Sequence, residues 1–290
     1  MSVSGGTLPV GGTGSVVVEE PVRRRAGRNQ PAAVGVGLLL GAVITVPLFS
    51  PWRWLFIVVV AGAAVLATVE VVRVLRTLGA RPPLLPLTVG GVAMIFTAYR
   101  YGAGELFLAL TLTVIACVVW RLTDPAEGLL RDLTAAVLVA SYVPFLLSFA
   151  ALLTVPPDGP RRVTAFVATV VCSDVGGYAA GVLFGRHAMA PSVSPKKSWE
   201  GLCGSLVACA LGGAIFFATL FHASALLGAV YGLVVVGSAT LGDLGESMIK
   251  RDIGIKDMGQ LLPGHGGLMD RLDSLLPTAP IAWLLLTALL

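Results

Sequence analysis

GLCGSLVACALGGAIFFATL, residues 201–220, continues for a full membrane thickness without a charged side chain or a proline. An α-helix rises about 1.5 Å per residue, so roughly 20 such residues cross the ~30 Å hydrocarbon core of a bilayer. Eight more apolar runs lie at 32–50, 54–72, 83–98, 104–120, 133–153, 163–185, 225–245 and 274–290. Composition agrees with this reading. Of the 290 residues, 56% are hydrophobic and 12% charged, where an ordinary soluble domain carries about 25% charged residues. A soluble globule of this make-up would expose large apolar patches. The expected fold is an all-α polytopic integral membrane protein of about nine transmembrane helices.

The charges between the runs set an orientation. With the N-terminus in the cytoplasm, 16 of the 20 Lys and Arg residues fall on the cytoplasmic side, and only Arg53, Arg100, Arg161 and Arg162 fall opposite. Cytoplasmic loops are enriched in Lys and Arg, so the N-terminus is expected inside. Residues 1–30 are Gly-rich at the start and carry Arg23, Arg24, Arg25 and Arg28. With no apolar stretch after Met1, they read as a disordered cytoplasmic tail rather than a signal peptide. The net charge of +4 comes without a basic face interleaved with aromatics, which argues against nucleic-acid binding. Cys117, Cys172, Cys203 and Cys209 sit inside apolar runs with no C-x-x-C pair, and read as small core hydrophobes.

Small residues recur every fourth position at Gly177, Gly181 and Gly185 and at Gly204, Ala208 and Gly212. That spacing lets helix backbones approach closely in lipid and places these two spans at the dense centre of the bundle. Asp174, in S-D-V-G-G-Y, falls inside the first of them. A carboxylate at that depth is costly unless it faces a cavity or a partner.

The loop P-S-V-S-P-K-K-S-W-E-G, 191–201, cannot be a regular helix and presents Lys196 and Lys197 on the cytoplasmic side. With Ser194 and Ser198 they make either a phosphate cradle or membrane-surface anchors. Asp243 and Glu246 stand three apart, hence on one helix face. The segment 247–274 then brings four acids, four bases and His265 into an otherwise nearly uncharged chain. Its P-G-H-G-G turn contains Gly264, Gly266 and Gly267, whose backbone amides can approach an anion closely. His265 fits a general base, an anion contact or a turn residue equally well. Asp270 and Asp273 follow one turn apart, with Arg271 between them. Carboxylates beside Lys, Arg and a Gly-rich turn suit phosphoryl chemistry with Mg²⁺, which takes one or two protein carboxylates plus substrate phosphates. The nucleotide motif G-x-x-x-x-G-K-[ST] is absent.

S-M-I-K-R-D-I-G-I-K-D-M-G-Q-L-L-P-G-H-G-G-L-M-D-R-L-D, residues 247–273, resembles the signature of the phosphatidate cytidylyltransferases. The likeness extends back through G-D-L-G-E-S and P-S-V-S-P-K-K-S-W-E-G to S-D-V-G-G-Y, covering about 170–275. One departure is Gly245, where that family more often has an aromatic.

The resemblance implies the transfer of CMP from CTP to phosphatidate, giving CDP-diacylglycerol and pyrophosphate, on the cytoplasmic face of the cell membrane. It implies Mg²⁺, with room for a second cation, and a homodimer. It places the metal on Asp243 and Asp270, with Glu246 and Asp273 either ligands or neighbours. Ser194, Lys196, Lys197 and Ser198 would contact phosphates. Lys250, Arg251, Lys256 and Arg271 would bind the triphosphate or the lipid headgroup, and Asp174 would lie in the polar cavity. The chain then divides into the tail 1–30, a transmembrane scaffold 31–160 and a catalytic transmembrane region 161–290. Two rival readings are a transporter of an anionic solute and another membrane phospho- or nucleotidyltransferase. The first does not need so charged a cytoplasmic loop. Among the second, the CDP-alcohol phosphotransferase pattern with aspartates four apart is missing.

Overall fold

The computed structural model describes residues 30–261 and 266–290. It is helical almost throughout: α1 (Gln30–Phe49), α2 (Trp54–Thr77), α3 (Leu84–Tyr101), α4 (Ala103–Arg121), α5 (Leu129–Ala140), α6 (Leu146–Leu152), α7 (Gly159–Phe184), α8 (Trp199–Leu220), α9 (Ala225–Ile253), α10 (Met269–Leu272) and α11 (Leu275–Leu289). Among the described residues, eight helical segments are long and apolar enough to cross a membrane, α5–α6 and α10–α11 each counting as one. The helix α1 coincides with the apolar run at 32–50. The tail expected over 1–30, apart from Gln30, lies outside the described residues.

Between α5 and α6 the chain makes one wide turn, Ser141–Phe145, around Pro144. Proline has no N–H to donate and crowds the preceding carbonyls, so the helix widens locally instead of ending. The Ser148 hydroxyl takes up the carbonyl of Pro144 at 2.6 Å.

α7 and α8 pack against each other at backbone contact, as the small-residue spacing predicts, and α9 approaches α8 just as closely at a crossing that spacing does not mark. A Cβ on Gly204 would stand 2.6 Å from the carbonyl oxygen of Gly176, and one on Gly213 would stand 2.1 Å from that of Gly228. No larger residue fits either crossing. Of the four cysteines, Cys117 and Cys209 are buried and Cys172 is partly so. Cys203 departs from the expected core position and lies exposed on the outer face of α8.

Two local features differ from the apolar pattern. The loop after α7 is a short antiparallel hairpin, β1 (Ala188–Ala190) with β2 (Ser194–Ser198). The eighth run does not stop at 245: α9 continues to Ile253, where Gly254 takes a left-handed φ of +75°. Lys250 and Arg251 are therefore helical rather than part of a loop.

The polar contacts sort the helix ends. At one end Arg162, which opens α7, donates to Asp158 and to the carbonyl of Leu286 near the end of α11, and Arg161 donates to the carbonyl of Leu220. At the other end Arg121 and Asp132 join α4 to α5, Arg251 of α9 reaches the carbonyl of Val193 in the hairpin, and Glu70 of α2 meets the start of α10.

Candidate active site

A cavity of about 310 Å³ opens between α7, α8, α9 and the hairpin. Its polar lining is Ser173 and Asp174 from α7, Lys196, Lys197 and Ser198 from the hairpin, Ser205 from α8, and Thr240 and Asp243 from α9. The glycines of α7 that allow close packing also leave one wall of this cavity low, because Gly177 and Gly181 contribute no side chain to it. The sequence reading of Asp174 as a cavity residue agrees with this position.

Lys197 reaches across to α9 and pairs with Asp243, Nζ to Oδ2, at 2.5 Å. Lys196 lines the same cavity. Ser198 lines it as well, and its Oγ accepts the N–H of Gly201 at 3.1 Å, capping α8. Capping occupies the oxygen as an acceptor and leaves the hydroxyl proton to donate. Ser194 starts β2 opposite Ala190 and is not among the cavity-lining residues.

One turn beyond Asp243, Glu246 is fully buried, and neither of its oxygens finds a hydrogen-bond partner among the described residues. Lys250 Nζ lies 3.4 Å from Glu246 and 3.0 Å from Asp270 Oδ1. Asp270 also accepts the N–H groups of Met258 at 3.0 Å and Gly267 at 2.8 Å, so both its oxygens are engaged. Asp273 accepts from its neighbour Ser274 and interacts electrostatically with Glu246 and Asp243. That proximity depends on Gly242, where a Cβ would fall 2.5 Å from the carbonyl oxygen of Asp273. Arg271 is exposed on α10 and close enough to Asp174 for their charges to interact. The site is thus one connected field of charge running from Lys197 to Asp270.

Several expected residues take different roles or fall elsewhere. The amide of Gly267 meets an anion, but that anion is the Asp270 carboxylate of the protein itself. Gly266 has φ +81°, a conformation few residues but glycine adopt readily. Gly264 and His265 lie outside the described residues. Lys256 is exposed, and Arg251 contacts the hairpin at Val193. The position of Gly245 faces open space, so the glycine there disturbs no contact.

Two acids have roles that residue spacing alone does not reveal. Glu200, in the first turn of α8, accepts the backbone N–H groups of Arg186 and His187, with His187 Nδ1 at 2.6 Å from its Oε1. It fastens the foot of the hairpin that carries the two lysines. Glu70 accepts backbone N–H groups of Leu268 and Met269. The only signal for it in the sequence is a lone acid near the end of an apolar run.

The donor chemistry fits a hard divalent cation. Every candidate ligand is a carboxylate oxygen, and Asp243 opens onto the cavity with an ammonium already on one of its oxygens. Among the described residues no three acids, histidines or cysteines converge into a ready cage. That is compatible with Mg²⁺, which draws the rest of its coordination from water and phosphate.

The family model described as the cytidylyltransferase family matches residues 31–289. The phosphatidate cytidylyltransferase of Mycobacterium leprae is 47% identical over 283 residues, spanning 91% of this chain and 90% of the relative. That of Mycobacterium tuberculosis (strain H37Rv) is 47% identical over 280 residues, spanning 91% of this chain and 84% of the relative. The Pseudomonas aeruginosa enzyme of the same name is 45% identical over 131 residues, 43% of this chain and 47% of the relative. With the match spanning nearly every described helix, this chain belongs to the cytidylyltransferase family.

Proposed function

We propose that this protein is a phosphatidate cytidylyltransferase working on the cytoplasmic face of the cell membrane, as a homodimer. A phosphate oxygen of phosphatidate attacks the α-phosphorus of CTP, a new P–O–P bond forms, and pyrophosphate leaves. The nucleophile is already anionic near neutral pH, so no strong base is needed. What the reaction needs is in-line placement of two anions that repel each other, together with a stabilised leaving group. The observation that carries this reading is the pair Lys196 and Lys197, which line one cavity with Asp243 within the transmembrane bundle. A lipid phosphate reaches such a place from the bilayer and CTP from the aqueous side.

In this reading the two lysines and the Ser198 hydroxyl hold phosphates, and the Lys197–Asp243 pair keeps that ammonium pointed into the cavity until substrate arrives. Lys250, steadied by Asp270, and Arg271 supply positive charge toward the triphosphate. Asp243 would hold Mg²⁺ from the cavity, and Asp270 would join it only by giving up one of its contacts to Lys250, Met258 or Gly267, with Glu246 and Asp273 close by. When bound, the ion supplies charge that offsets what develops on pyrophosphate. The cytoplasmic orientation is supported by the 16-to-4 division of basic residues. The deciding measurement is pyrophosphate release from CTP, phosphatidate and Mg²⁺ in detergent micelles. Release that requires both substrates is expected. A protein that moves solute only across sealed vesicles, and releases no pyrophosphate in micelles, would be a transporter instead.

A further inference from the structure

Glu70 belongs to α2, far in sequence from every residue placed in the site, and it is 6% exposed. Its Oε1 accepts the N–H of Leu268 at 3.1 Å and its Oε2 that of Met269 at 2.9 Å. Two glycines make room for the carboxylate: a Cβ on Gly259 would stand 2.5 Å from Oε1, and one on Gly267 would stand 2.7 Å from Oε2. Met258, next to Gly259, and Gly267 itself are also gripped by Asp270, which accepts both their N–H groups. Met258, Gly259, Gly267, Leu268 and Met269 are thus laced between two carboxylates, one their own and one lent by the scaffold.

We infer that Glu70 is a positioning residue for cytidylyl transfer, holding the segment that sets Asp270 against Lys250 and presents Arg271. The inference rests on the placement of Asp270 and Arg271 in the active site. Its physical basis is that backbone N–H groups buried without water need an acceptor, and a carboxylate with two oxygens serves two adjacent amides at once. A side chain that only filled space there would leave the two amides unpaired and the segment free to shift. A shift of about 1 Å in a group that acts on the reacting atoms costs on the order of 10²-fold in rate. The loss should appear in kcat and kcat/KM equally, because substrate is not touched by Glu70 and binding in the ground state is not what is disturbed.

The test compares Glu70→Ala and Glu70→Gln with the parent enzyme in micelles, measuring kinetics and amide hydrogen exchange on peptides containing Met258, Leu268 and Met269. Glu70→Ala should lower kcat by about a hundredfold with little change in KM for CTP, and those amides should exchange about ten times faster. Glu70→Gln keeps the shape and one acceptor oxygen but turns an NH₂ toward the second amide, so it should recover part of the rate, to about tenfold below the parent. Should the alanine variant fail to insert, the glutamine variant decides by the same two readouts. Parental kcat in the variants overturns the inference, and so does a lower kcat with unchanged exchange at Leu268 and Met269. Asp270→Asn is assayed alongside. If it alone loses turnover while the Glu70 variants keep it, only the inference fails; if Asp270→Asn keeps full turnover, the placement of Asp270 in the site fails with it.

Discussion

Two clusters of buried charge sit toward the same end of the bundle, and they are finished to different degrees. In the scaffold, Arg121 donates to Asp132 at 2.9 Å and to the carbonyls of Pro125 and Glu127 at 2.8 Å each, and the second oxygen of Asp132 accepts the N–H of Arg81 at 2.7 Å. Arg121 is 6% and Asp132 2% exposed, and between them both carboxylate oxygens and all three guanidinium nitrogens are used. In the site, Asp243 faces a cavity with Lys197 as its countercharge, and Glu246 is buried with neither oxygen in a well-formed hydrogen bond among the described residues, the Lys250 ammonium standing off at 3.4 Å. Buried polar groups are normally satisfied, and those that are not need a reason. A closed network ties helix ends together. An open one beside a cavity is arranged for something that arrives.

The comparison predicts opposite phenotypes, and the largest effect is in the open cluster. Asp243→Asn keeps the shape of the side chain while removing the charge that faces the cavity. Turnover should fall by about 10³-fold, within the range for loss of one electrostatic stabiliser, and thermal unfolding in detergent should stay near that of the parent. Arg121→Met should do the reverse. It leaves Asp132 short of its main partner and should lower stability by about 3 kcal/mol, while the fraction that folds turns over normally. A chain in which Arg121→Met abolished turnover without loss of stability would erase the distinction between the clusters. Asp270→Asn is the less clean variant, because Asp270 also braces Met258 and Gly267 and its loss should loosen that segment as well.

The middle effect concerns the hairpin lysines. As membrane-surface anchors, Lys196 and Lys197 could both become Gln with little consequence, because many other basic residues maintain orientation. As phosphate contacts, they should lower kcat/KM by about tenfold or more when both are changed, since a hydrogen bond to a charged group contributes about 1.5–3 kcal/mol. The loss is the expected result, given that both line the cavity. It should be larger than that of Ser194→Ala, because Ser194 does not line that space.

How much of this was legible depends on the range of the interaction. The spans were readable because twenty apolar residues in a row leave few alternatives, and the close packing of α7 on α8 because a four-residue glycine period marks one helix face. Asp174 was readable as a cavity residue because an acid at that depth needs a cavity or a partner. The strand pairing of Ala188–Ala190 with Ser194–Ser198 was not: Pro191 and Pro195 exclude a helix there without specifying a hairpin. The extra length of α9 was hidden by its charges, which look like loop but lie on a helix that ends only at Gly254. Glu70 was out of reach altogether. Its partners are backbone amides almost two hundred positions away, and amides carry no residue-specific signal.

The smallest predicted effect tests what Glu246 is. Its full burial argues against a direct bond to Mg²⁺, which dehydrates reluctantly and usually keeps several waters. Asp243, open to the cavity, is the better placed ligand. Glu246 instead stands one helical turn from Lys250, with 3.4 Å between Oε1 and Nζ, and helps to hold that ammonium beside Asp270. Glu246→Gln removes the ionisable group and keeps the volume. Lys250 retains Asp270 as a partner, so turnover should fall only about two- to fivefold, on the scale of a lost i,i+4 contact somewhat strengthened by burial. The Mg²⁺ concentration for half-maximal rate should not move. A tenfold rise in that concentration would make Glu246 a metal ligand and place the ion deeper in the bundle than the cavity-facing position of Asp243 suggests.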